Sequence, residues 1–104
     1  MTVCTVSVTF ADIAQAMHIG RLVVEERLAA CFNVSAPCTS IYWWEGKVEQ
    51  SDEIPASFKT TTARVDALIE RVAELHSYDT PAITVAPVDR LLARYGDWVE
   101  NVTR

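Results

Sequence analysis

His76 and Cys31 are the two side chains in this sequence best suited to chemistry. His76 opens the run His76-Ser77-Tyr78-Asp79-Thr80-Pro81, which sets an imidazole beside a phenol and a carboxylate. Such a group can hold a metal ion or line a ligand pocket, and Cys31 or Lys59 can join if folding brings them close. Cys31 with His76 could also form a nucleophile and its base. A plainer role for His76 is that of a charge-compatible residue at a helix C-terminus. Lys59-Thr60-Thr61 could bind an anion where a strand opens into a helix, or be a solvated lysine and a helix cap. The remaining thiols, Cys4 and Cys38, lie in an apolar strand and next to Pro37. Three cysteines without a C-x-x-C spacing predict free thiols in a reducing, cytoplasmic compartment. Two or three of them with one histidine would suit Cu(I) or Zn.

The common catalytic signatures are missing. Gly20, Gly46 and Gly96 lie far apart, so the sequence holds no phosphate loop, and it has no G-x-S-x-G, H-E-x-x-H or paired-cysteine zinc motif. The 104 residues carry 9 Lys and Arg against 14 Asp and Glu, a formal charge of −5. That balance argues against nucleic acid or an anionic membrane as the main partner. No signal peptide or apolar run long enough for a membrane span is evident. Half the residues are hydrophobic, which suits one folded domain over residues 1–104.

The elements that must position these groups follow from periodicity. Val3 to Phe10 alternates as a strand. From Asp12, a suitable N-cap, the spacing of Ile13, Met17, Gly20, Val24 and Leu28 predicts a helix, widened by Ala16 and Val23. Gly20 weakens a helix interior and is expected where the helix comes close to a sheet. Cys31 to Trp44 reads as a long outgoing strand interrupted at Pro37, turned at Trp44-Glu45-Gly46-Lys47 and returned towards Thr60 with Ile54, Ala56 and Phe58 on one face. A second helix carries Val65, Leu68, Ile69, Val72 and Leu75, capped by Thr61 or Thr62; a strand over Ala82–Ala86 and a short helical tail complete the chain. The order predicts an α+β fold, a ferredoxin-like βαββαβ plait with an antiparallel sheet, a long β2–β3 hairpin and a short C-terminal helix. Both main helices then lie on one face and leave the other open. Alternation sends Trp43 and Trp44 to opposite faces of the hairpin, so Tyr42, Trp43 and Trp44 are expected at a subunit interface.

Several blocks resemble one family. Glu26-Arg27-Leu28-Ala29-Ala30-Cys31, Thr39-Ser40-Ile41-Tyr42-Trp43-Trp44-Glu45-Gly46-Lys47, Lys59-Thr60-Thr61 and His76-Ser77-Tyr78-Asp79-Thr80-Pro81 are similar to the CutA divalent-cation tolerance family, and Tyr95-Gly96-Asp97-Trp98 fits its last helix. The resemblance implies a homotrimer assembled through the hairpins, tolerance of divalent metals, chiefly copper, and no established catalytic reaction. His76 and Cys31 match their motifs. Phe10 and Ala82 depart from the cysteine and glutamate found in some relatives, and Cys38 stands where glycine is common.

The resulting expectation is a non-enzymatic trimer that binds copper, another divalent cation or a small molecule at subunit clefts, with no metal needed for folding. His76 and Cys31 are the candidate metal ligands, and Lys59, Tyr78 and Asp79 the candidate ligand-binding residues. The alternatives are an effector-binding signalling trimer with the architecture of the PII proteins and a small Cys/His hydrolase.

Overall fold

The structure, a computed structural model, describes residues 2–104. Its elements are β1 (Val3–Phe10), α1 (Ile13–Glu25), β2 (Cys31–Val34), β3 (Cys38–Trp44), β4 (Lys47–Thr61), α2 (Val65–Leu75), β5 (Ile83–Pro87) and α3 (Ala93–Val102). The sheet runs β2-β4-β1-β5 with every neighbour antiparallel, and β3 pairs with the outer part of β4. This is the predicted plait with one refinement: the outgoing strand is two strands, so the sheet has five.

The division falls at Ser35–Pro37 and changes more than the strand count. Val34 pairs with Ala56 and Cys38 with Glu53, so three residues of one strand face two of the other. Pro37 has no N–H to give to the ladder, and a bulge absorbs the misfit. Because side chains alternate along a strand, one extra residue exchanges the two faces. Val34 points with Ala56 towards the helices, whereas Cys38, Ser40, Tyr42 and Trp44 share the opposite face with Glu53. At the tip, Glu45 (φ 49°) and Gly46 (φ 80°) are both left-handed, the geometry of a two-residue hairpin turn.

The main core lies between the sheet and the two longer helices. Val6, Val8 and Phe10 of β1 and Ile54, Ala56 and Phe58 of β4 meet Ala16, Ile19 and Val23 of α1 and Leu68 and Val72 of α2. Asp12 caps α1 as expected, its Oδ1 accepting from the Gln15 N–H at 2.8 Å. Gly20 is buried against the Phe32 ring, which a Cβ would strike, so the predicted close approach is present. The buried stripe of α1 is rotated from the expected one: Ile19 is enclosed, while Ile13 and Met17 are about half exposed. For α2 the N-cap is Arg64, without a side-chain cap bond, rather than Thr61 or Thr62. Those two threonines are separated by the end of β4: Thr61 is its last residue and is buried.

The second face is covered only in part. Val99 of α3 packs on Val3 and Ala30, with Tyr95 and Val102 beside them. Arg27 and Arg64 hold the end of α3 by donating to the carbonyls of Val102 (3.0 Å) and Thr103 (2.6 Å). Beyond α3 this face is made largely of small polar residues, Ser7, Thr9, Ser57 and Thr84 among them.

Candidate functional site

The Tyr78–Ala82 segment lies against the inner face of the arm formed by β3 and β4 and encloses a cleft of about 760 Å³. Tyr42, Trp43, Trp44 and Glu53 line the arm side, and Tyr78, Asp79 and Pro81 line the other. The bulge before Cys38 is what aims Tyr42 and Trp44 at this space. Tyr42 is held there by a 3.0 Å hydrogen bond between its hydroxyl and that of Ser51.

Glu53 is the residue that sequence reasoning missed. It is 8 % exposed, and its Oε2 accepts a hydrogen bond from the Tyr78 hydroxyl at 3.1 Å. Burial, reinforced by this carboxylate, pushes the Tyr78 phenol up to about 12. The only signal in the sequence was parity, which puts Glu53 on the face opposite Ile54. That face reads as solvent until Tyr78 is known to fold over it.

His76 stands behind the cleft wall. Its backbone N–H caps α2 on Val72 O, its Nδ1 accepts from the Tyr78 N–H at 3.1 Å, and its Nε2 lies 2.8 Å from Thr9 O. A carbonyl can only accept, so Nε2 carries the proton and the ring is the neutral Nε2–H tautomer. The ring stacks on Phe10 at 5.0 Å and meets Tyr78 at 4.8 Å. Phe58, Phe32 and Phe10 continue this series of ring contacts into the core. His76 thereby ties the position of Tyr78 to the packing of the sheet.

Cys31 and Lys59 do not join this site. They are paired with each other across β2 and β4, whereas His76 bonds to Thr9, which pairs with Pro55. Four residues of strand separate those positions, about 13 Å. Cys31 Sγ lies instead 3.6 Å from the Tyr95 hydroxyl, under α3. Burial, then this contact, raises the Tyr95 phenol to about 12. The sequence-predicted residues thus divide: Tyr42, Trp44, Tyr78 and Asp79 meet in the cleft, Trp43 borders it with its side chain on the outer face of the arm, His76 backs it, and Cys31 and Lys59 stand apart. The Cys31/His76 nucleophile and base are not within reach of one another. Among the described residues no three His, Cys, Asp or Glu side chains converge to hold a metal ion.

Residues 4–102 match the CutA1 divalent ion tolerance protein family. The chain belongs to that family. The divalent-cation tolerance protein CutA of Thermotoga maritima is 42 % identical over 93 residues, 89 % of this chain and 91 % of that one. The solved structure of a divalent cation tolerance protein from Thermus thermophilus is 38 % identical and covers 98 % of this chain and 99 % of its own, with a TM-score of 0.95. A structure described as a periplasmic CutA, from Archaeoglobus fulgidus, is 31 % identical, covers 98 % of this chain and 99 % of its own, and has a TM-score of 0.94. These likenesses agree with the α+β architecture. No helix among the described residues is long and apolar enough to cross a membrane.

Proposed function

We propose that this chain acts as a homotrimeric, non-catalytic divalent-cation tolerance protein, taking a divalent cation such as copper, or a small molecule, in the aromatic cleft where subunits meet. The observation that carries this reading is the outer face of the arm. Trp43 is 75 % exposed, Ile41 68 % and Val48 58 %, and Trp43 and Val48 are direct cross-strand partners. A contiguous apolar face on a projecting arm favours burial against another copy, since a soluble chain gains from removing it from water. The family name supports the link to divalent cations.

For a cation in the cleft, the available side-chain ligands on one chain are the Glu53 and Asp79 carboxylates with neighbouring hydroxyls, an oxygen set. Oxygen donors suit hard ions better than Cu(I), so a copper site would need further ligands from a sister subunit. His76 could join only by releasing Tyr78 N–H or Thr9 O. The three free thiols favour a reducing compartment, hence the cytoplasm.

Sedimentation of the full chain at micromolar concentration tests the assembly. A trimer is expected, with Trp43→Ser shifted to smaller species while keeping its helix and strand content. A wild-type monomer would overturn the reading. Calorimetric titration with copper and zinc tests the cation, and the absence of heat for both would leave only the small-molecule form of the proposal.

A further inference from the structure

We propose that the cleft takes an organic ammonium ligand, its cationic nitrogen against Glu53 and Asp79 and its hydrocarbon body against Tyr42 and Trp44. This rests on the cleft reading above and names the class of small molecule it would receive. The lining contains two carboxylates and no Lys, Arg or His. Lys47, opposite Trp44 at the arm tip, is not among the lining residues. Among the described residues neither Glu53 nor Asp79 takes part in an ion pair.

Glu53 is the deciding group, because it is 8 % exposed and has one neutral hydrogen-bond partner. A carboxylate removed from water without a counter-charge is costly, and a cation in the cleft offsets that cost. The Tyr78 phenol registers the Glu53 charge: after burial, Glu53 is the main contributor to holding its proton, followed by Tyr42 and Asp12.

The choice between an organic and an inorganic cation follows from the walls. A divalent metal ion seeks several oxygen or nitrogen ligands and gains little from indole faces. Here no three ligating side chains converge among the described residues, while Tyr42, Trp44 and Tyr78 supply aromatic surface. An organic ammonium draws on both features, the carboxylate by charge and the rings by their quadrupoles. At about 760 Å³ the cleft also matches a small organic molecule better than a bare ion.

Calorimetry on the full chain with phenethylammonium and with 2-phenylethanol, the same body without the charge, tests this. Phenethylammonium should bind, and the alcohol should bind at least about tenfold more weakly. Glu53→Gln should weaken phenethylammonium by about tenfold and leave the alcohol unchanged. Asp79→Asn, at an exposed position, should act in the same direction without risk to folding. Equal affinity for the two probes, or no binding of phenethylammonium, would overturn the inference. A trimer that binds copper but not phenethylammonium sinks this inference alone, whereas a monomer that binds phenethylammonium sinks only the trimeric reading.

Discussion

The Tyr78 hydroxyl donates to Glu53 Oε2 across 3.1 Å and so joins the α2–β5 connection to the root of the arm. The bond needs the phenol protonated. Burial and the carboxylate raise the phenol to about 12 from an ordinary 10, and Tyr95 is raised to about 12 by burial and Cys31. In both cases the folded state holds the proton more tightly than the unfolded chain. The stabilisation is therefore whole below pH 10 and is lost as pH rises towards 12. Urea unfolding across that window should show a declining midpoint, and Tyr78→Phe should flatten the decline. Ultraviolet titration of the Glu53→Gln variant should find Tyr78 ionising at lower pH than in the wild type.

Gly20→Ala inverts the usual helix rule. In an open helix interior the change would gain about 1 kcal/mol. Here the added methyl group strikes the Phe32 ring, itself packed 4.7 Å from Phe58. A net loss of about 1–3 kcal/mol is expected from overpacking, read from denaturant midpoints. A stabilised variant would mean that the helix can lift from the sheet.

His76→Phe keeps a ring on Phe10 but abandons the Tyr78 N–H and the Thr9 carbonyl. Two such losses should cost about 2–4 kcal/mol. Nitrogen NMR of the wild-type imidazole should find Nε2 protonated and Nδ1 bare. The reverse tautomer would contradict the orientation of both bonds.

Glu26 and Arg71 clip α1 to α2 through paired bonds of 2.9 and 2.8 Å. The guanidinium holds the Glu26 carboxyl below its usual range, first by hydrogen bonding. Its contribution is present above the ordinary carboxylate pKa and disappears as pH falls through the lowered one. In Arg71→Lys, which cannot form the fork, carboxyl NMR should show Glu26 titrating at higher pH.

Much of this fold was legible because local rules and packing agreed. Asp12 capped its helix, Glu45-Gly46 made the tip turn, and Gly20 announced a close contact before Phe32 was known to provide it. The stripe of α1 was misread because Ile13 and Met17 kept helical spacing with residues that do turn inward; composition could not distinguish Ile19, which is enclosed, from those two. In the site, Tyr78, Asp79 and the aromatic arm were visible by residue type. Glu53 was not, since its burial depends on a phenol 25 positions later in the chain. His76 was visible for its chemistry, but its hydrogen-bond partners, a carbonyl in β1 and an amide two residues away, leave it a positioning role that no spacing encodes. Cys31 and Lys59 suit a site with His76 by residue type, and only the strand register shows that they pair with each other instead.

The misfit beside Pro37 frees the arm's sidedness from the length of the stretch before it, because Tyr42 and Trp44 face as their partners Glu49 and Lys47 on the unbroken β4 do. Removing one residue from Ser35–Pro37 would let the two strands run in step from Val34–Ala56 to Cys38–Glu53 and leave Tyr42 and Trp44 on the face they share with Glu53. Length changes in this short stretch are thus absorbed without moving the recognition surface, whereas one residue added to β4 between Glu53 and Ala56 would exchange the arm's recognition and contact faces together.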